Sequence, residues 1–220
     1  MKVSGDLIVE LRGEEVRLCP ERVMFWPREK TLFVADLHLG KAAALRAGGM
    51  PLPGGSTLHD LERLDAVLQR CGAERLIVLG DAFHARASLR AEGTMQEILC
   101  WRKRREQVEI ILVPGNHDRR AGQLPQELDF IICPGPWRWG PWTLQHEPGG
   151  VSEGHILCGH LHPGIRLKGF GRQSLSLPCF YSEPEQTVFP AFGSLTGLAR
   201  VRPKRLSRIF VVTGEEVIEK

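Results

Sequence analysis

The stretch ILVPGNHDRR, residues 111–120, decides how the rest of the chain is read. An aliphatic run stops at Gly115 and then presents Asn116, His117, Asp118 and Arg119, side chains suited to binding metal, moving protons or gripping an anion. A continuous apolar run of this length suits a strand buried on both faces. Two more runs share the pattern: KTLFVADLH ends in Asp36 and His38, and RLIVLGDAFH ends in Asp81 and His84. In parallel sheets the carboxyl ends of strands line one edge, where ligands bind, so these residues are expected to converge. If strand geometry persists past the apolar run, Asp36 and His38 point the same way and grip one ion.

Between the runs lie helical patterns. Leu58, Leu61, Leu64, Val67 and Leu68 share a helix face, with Thr57 as N-cap and Gly72 as the stop. A second helix is expected over 88–107, interrupted by Gly93 and carrying Met95, Ile98 and Leu99. DLIVELRGEEVRLCP reads as a hairpin around Gly13, and beyond Pro114 the texture is one of short strands. Alternating strand and helix followed by a strand-rich half predicts an α/β protein of two sheets with helices outside them. No long polar linker divides it, so residues 1–220 are expected to form one domain.

Hydrophobic residues at 42%, charged residues at 25% and a net charge of +3 are ordinary globular values and do not by themselves call for nucleic acid. No apolar stretch nears the roughly 18 residues of a membrane span, and Asp6, Glu10 and Arg12 interrupt any signal-peptide core, so a cytoplasmic protein is expected. The six cysteines are scattered without a CxxC pair, which fits free thiols better than a zinc cluster or a disulfide frame.

The second half adds CGHLHPG, with His160 and His162, and LQHEP, with His146. One Asp-x-His pair is ordinarily a turn or a cap, but five separated elements ending in Asp, Asn or His need a common cause. Imidazole, carboxylate and amide oxygen together suit Mn²⁺, Fe²⁺ or Zn²⁺. The donors are too many for one ion. A pair of ions about 3.5–4 Å apart, sharing a carboxylate, is the arrangement that clamps both oxygens of a phosphoryl displacement.

The ordered set DLH, GDxxH, GNHD, H and GHLH resembles the calcineurin-like metallophosphoesterase superfamily. The resemblance implies a four-layer type of fold, a β-sandwich of two mixed sheets flanked by α-helices. It implies that Asp36, His38, Asp81 and His162 hold one divalent ion, that Asp81 bridges, and that Asn116, His146 and His160 hold the second. Mn²⁺ is expected first, with Fe²⁺, Zn²⁺ or Mg²⁺ as alternatives. His117 would contact the substrate phosphate and help the leaving oxygen depart, with Asp118 orienting it and Arg119 adding charge. His84 would sit beside the scissile strand or support a ligand carboxylate.

ADLHLGK, LGDAFHAR, HEP, GHLHP, PCF and PAFGSLTG give a narrower resemblance, to bacterial ligase-associated DNA damage response endonucleases. This implies a DNA substrate and, as functional partners, the ligase, helicase and nuclease of one repair system. A phosphodiesterase or phosphatase of small or cyclic nucleotides would use the same metal core. A non-catalytic scaffold on this fold is opposed by the intact His117. The runs Arg102–Arg105 and Arg200–Arg208 could neutralise phosphates or be solvated faces. Trp137, Trp139 and Trp142 could stack on bases or pack a hairpin.

Overall fold

A strand that is apolar on both faces must be covered on both, and the three central runs are. The computed structural model describes residues 5–150, 152–169, 171 and 173–220. Its first sheet has the order β1 (Leu7–Leu11), β2 (Glu14–Cys19), β3 (Val23–Trp26), β4 (Thr31–Val34), β5 (Arg75–Val78), β6 (Glu109–Leu112) and β7 (Ile131–Ile132). The members from β1 to β4 are antiparallel, with the expected hairpin turning at Gly13, and those from β4 to β7 are parallel. The parallel crossovers run through α1 (Lys41–Ala47), α2 (Ser56–Cys71), α3 (Arg86–Arg90) and α4 (Glu92–Arg104), and α5 (Asn116–Ala121) follows β6.

The second sheet is built from β8 (Trp137–Trp139), β9 (Trp142–Leu144), β10 (His155–Cys158), β11 (Pro163–Lys168), β12 (Ser174–Glu183), β13 (Gln186–Val188), β14 (Ala199–Arg200), β15 (Arg208–Val212) and β16 (Val217–Glu219). Its order is β14-β11-β12-β13-β10-β9-β8, with β15 and β16 extending from β12. Alternation assigns the central residues to two cores. Phe33, Ile77 and Ile111 meet Trp142, Leu157, Phe180 and Phe210 between the sheets. Their neighbours Leu32, Val34, Leu76, Val78, Ile110 and Leu112 pack under Leu61, Leu64, Ile98 and Trp101 of α2 and α4. Each such fully buried side chain contributes about 1.5–3 kcal/mol.

The two mixed sheets and external helices are those the sequence predicts. Among the described residues the helices cover the first sheet, whereas on the outer face of the second sheet Val201 packs against Ile156, Ile165 and Tyr181. No helix among the described residues is long and apolar enough to cross a membrane.

Four expectations change. Thr57 is not a cap: Gly55 precedes the helix, and the Thr57 hydroxyl accepts the Gly40 N–H from inside α2 at 3.2 Å. Leu58 lies on the exposed side of α2. The helix over 88–107 is two, broken at the extended Ala91. Finally, the run 102–105 divides: Lys103 and Arg104 are exposed, and Arg102 and Arg105 are structural. Arg102 is 5% exposed, its Nε donates to Leu128 O at 2.9 Å and its Nη2 pairs with Asp129 at 3.1 Å, while Arg105 is clamped on Asp65. The tryptophans form a packed hairpin, with Trp142 fully buried edge-on to Trp26 at 5.7 Å.

Removing this buried guanidinium leaves the Leu128 carbonyl without its partner, which costs about 1–3 kcal/mol, whereas the exposed Asp129 carboxylate is taken up by water. Arg102→Ala is therefore expected to lower the urea midpoint by an amount in that range. Arg104→Ala, on the exposed side of the same helix, should stay within about 0.5 kcal/mol; equal effects would show that Arg102 holds nothing.

Candidate functional site

Strands β4, β5 and β6 deliver their following loops to one edge of the first sheet, and the parallel strands β9, β10 and β13 do the same in the second. The two edges are joined by hydrogen bonds from backbone N–H groups. Phe192 N donates to Ala35 O at 2.9 Å, Gly193 N to Asp36 O at 3.1 Å, and His160 N to the Asp36 carboxylate at 2.9 Å. All the donor residues expected from the sequence meet there.

They do so by a backbone route different from the one expected. Strand geometry stops at Val34, and Asp36 and His38 both take left-handed conformations, with φ of 55° and 48°. Asp36 N donates to Gly80 O and His38 N to Asp81 O, which locks the loop to its neighbour. Asp81, His160 and His162 are left-handed too, at 52°, 70° and 50°. For non-glycine residues this costs roughly 1–2 kcal/mol each. Strain of this kind persists where surrounding contacts over-determine the backbone, and it collects at functional sites.

The side chains form three groups whose donor atoms lie within 4.8 Å of one another: Asp36, His38 and His162; Asp81, His146 and His160; and His38, His84 and His117. In the first, His38 Nε2 and His162 Nε2 are 3.3 Å apart, and His162 Nε2 is 3.5 Å from Asp36 Oδ1. In the second, His146 Nε2 is 3.1 Å from both His160 Nδ1 and Asn116 Oδ1. Asp81 stands between them, its Oδ2 3.9 Å from His38 Nε2 and 3.4 Å from His146 Nε2. Its other oxygen accepts the His117 N–H at 2.9 Å.

These donors fit divalent metal. Imidazole nitrogens and carboxylate oxygens face one another with no thiolate among them, since Cys158 is directed at Thr187 O. His146 Nδ1 donates to Leu79 O at 3.0 Å, which turns Nε2 into the site, as metal-binding histidines require. Burial pushes the His38 imidazole down to about 3, keeping its lone pair free of a proton. For Asp81 burial acts upward, but the His146 hydrogen bond and charge and the His117 N–H outweigh it and hold the carboxyl at about 2. Burial also opposes a charge on His146, yet Asp81 raises its pKa, so the site's negative charge draws positive charge to that nitrogen.

His117 lies over His84 with ring centroids 4.9 Å apart. Its Nδ1 is 2.6 Å from His84 O, a contact that assigns the proton to Nδ1 and leaves Nε2 toward the groups, 4.0 Å from Asp81 Oδ2. Asp118 makes no hydrogen bond to this ring. The buried Asp118 carboxylate accepts from Phe83 N at 3.0 Å and Gly115 N at 2.9 Å, fastening α5 to the loop after β5. Asp118 positions His117 through the backbone. Burial pushes its carboxyl above the ordinary value. Burial also lowers His84, to about 4. Arg119 is exposed and is engaged by Pro114 O at 2.9 Å and Glu147 at 3.6 Å.

Two features went unused in the sequence although they were in view. Lys41, in ADLHLGK, is half-buried beside the groups, and burial lowers its ammonium against the pull of Asp36 and Asp81. Glycine also precedes donor residues for a steric reason: a Cβ at Gly115 would lie 2.1 Å from Asp81 Oδ1, and one at Gly159 2.5 Å from Asp36 Oδ2.

The family model for calcineurin-like phosphoesterases matches residues 29–189, and the chain belongs to that family, whose members are metal-dependent phosphoesterases with a dinuclear site. Among solved structures the chain is similar to the Pseudomonas putida nuclease MPE, with 37% identity, a TM-score of 0.85, and coverage of 97% of this chain and 100% of that one. The E. coli phosphoesterase Yfce is also similar, at 15% identity and a TM-score of 0.42 over 86% of this chain and 97% of that one, a likeness too slight to carry an argument. No curated protein matches the chain significantly.

If Gly115 is where it is because the Asp81 carboxylate needs the space, Gly115→Ala should fold yet retain fewer than two metal ions per chain by elemental analysis after loading with Mn²⁺ and desalting. Two retained ions would remove the steric argument.

Proposed function

We propose that this protein is a dinuclear-metal phosphodiesterase that cleaves nucleic acid, DNA first. The observation that carries the reading is the Asp81 carboxylate, one oxygen of which faces two separate donor groups. Asp36, His38, Asp81 and His162 would hold one ion, and Asp81, Asn116, His146 and His160 the other, with Mn²⁺ suited to this mixture of nitrogen and oxygen donors. When bound, such a pair activates water and neutralises charge on a phosphoryl group.

The chain's own residues supply the rest. His117 presents Nε2 to the space beside Asp81, and a ring protonated there can hydrogen-bond a phosphoryl oxygen and give its proton to the leaving oxygen. The His84 carbonyl, already bonded to Nδ1, stabilises that protonated ring and fixes its orientation. The His84 ring, stacked on His117, walls the same space. Whole-length similarity to a nuclease supports nucleic acid as substrate. The motif resemblance supports a DNA-repair role beside a ligase, a helicase and a further nuclease. A complete donor set with His117 in place opposes a non-catalytic scaffold.

The test is to offer Mn²⁺-loaded protein labelled single-stranded DNA, duplex DNA, RNA and cyclic nucleotides in parallel. Metal-dependent cutting of DNA that EDTA stops and Mn²⁺ restores is expected. Turnover of cyclic nucleotides with every polynucleotide intact would overturn the nuclease reading. His117→Ala should lower kcat by about 10²–10⁴-fold with both ions retained; unchanged turnover would remove His117 from the chemistry.

A further inference from the structure

The net charge conceals a strong polarity. Residues 154–214 hold eight Lys and Arg against two Glu, a net +6 in a chain of net +3, so the remainder carries −3. Within this region 154–182 and 187–214 contain no acidic residue at all. An ordinary solvated surface intersperses both signs.

Four of these cations lie on one ribbon that starts at the site. Strand β11 begins directly after His162, and β14 lies parallel to it with Gly164 opposite Arg200. Alternation then places Arg166 and Lys168 on the Arg200 side, facing Ser176 and Ser174 of β12, while Ile165, Leu167 and Val201 turn to the buried side. Arg166, Lys168, Arg200 and Arg202 are exposed, and among the described residues none has a carboxylate partner. Lys204 and Arg208, by contrast, are taken by Glu183 and Glu219. Ser174 accepts from Arg166 Nη2 at 2.7 Å.

The ribbon is tied to the donor loops. Ala199 N donates to His162 O at 2.9 Å, Val201 N to Gly164 O at 2.9 Å, and Gly193 N, upstream, to Asp36 O at 3.1 Å. At about 3.3 Å per residue, Arg166 and Lys168 stand roughly 13 and 20 Å along the strand from His162. Cations in a row at such distances cannot all serve one scissile phosphate.

We propose that Arg166, Lys168, Arg200 and Arg202 form a track for the phosphodiester backbone of a nucleic-acid strand beyond the bond being cut; this rests on the nuclease reading above. Counterion release from such a track makes affinity fall with salt, with a slope of about 0.7 per phosphate contacted on a single strand.

The test uses the Mn²⁺-loaded full chain and compares wild type with R166A/K168A/R200A/R202A on a labelled oligonucleotide of about 30 nucleotides and on bis-p-nitrophenyl phosphate, across a salt series. For the oligonucleotide, kcat/KM should fall at least tenfold at low salt and the log–log salt slope should shrink by about 2 to 3. Hydrolysis of the small ester should be unchanged, and K103A/R104A on α4 should match wild type on both. An unchanged slope while wild type cuts the oligonucleotide would overturn the track alone, as would equal loss on the small ester. If wild type hydrolyses the ester but cuts no polynucleotide, the nuclease reading falls and takes the track with it.

Discussion

The structure turns on one buried carboxylate. Asp81 is 2% exposed, and although burial favours its neutral form, His146 and the His117 N–H hold its carboxyl down to about 2. A carboxylate so placed is stable only while positive partners surround it. Its Oδ1 fixes the start of α5 and its Oδ2 faces both donor groups, so one side chain sets the spacing of the groups and the position of His117. Each β-sheet brings its own strand ends to that point.

Holding the donors there has a local cost. Five site residues occupy left-handed backbone, among nine non-glycine residues that do so in the described chain. That concentration shows where stability is given up. The two cores outside the site, each lined by fully buried aromatic and aliphatic side chains, are large enough to absorb roughly 1–2 kcal/mol per residue. The strained loops are braced by hydrogen bonds to one another, as Asp36 N to Gly80 O and Gly193 N to Asp36 O show.

Much of this is legible in the sequence, for reasons that can be named. The runs ending at Val34, Val78 and Leu112 are apolar because both faces are buried, and the polar residues after them stand out against that background. What could not be read depends on conformation or on distant partners. The left-handed turns at Asp36 and His38 break the alternation that a continuing strand would impose. Asp118 looks like a partner for its neighbour His117, yet its carboxylate is claimed by Phe83 and Gly115. Arg102 and Arg200 are equally basic in sequence, but one is buried against Leu128 and Asp129 and the other stands free on a ribbon. Only tertiary contacts separate them.

The central claim is that one oxygen of Asp81 joins two metal positions. Crystals of the Mn²⁺-loaded protein, measured at the manganese absorption edge, test it most directly. The account predicts two anomalous peaks per chain, one against Asp36, His38 and His162 and one against Asn116, His146 and His160, with Asp81 contacting both. A single peak, or two peaks with Asp81 touching only one, would contradict it.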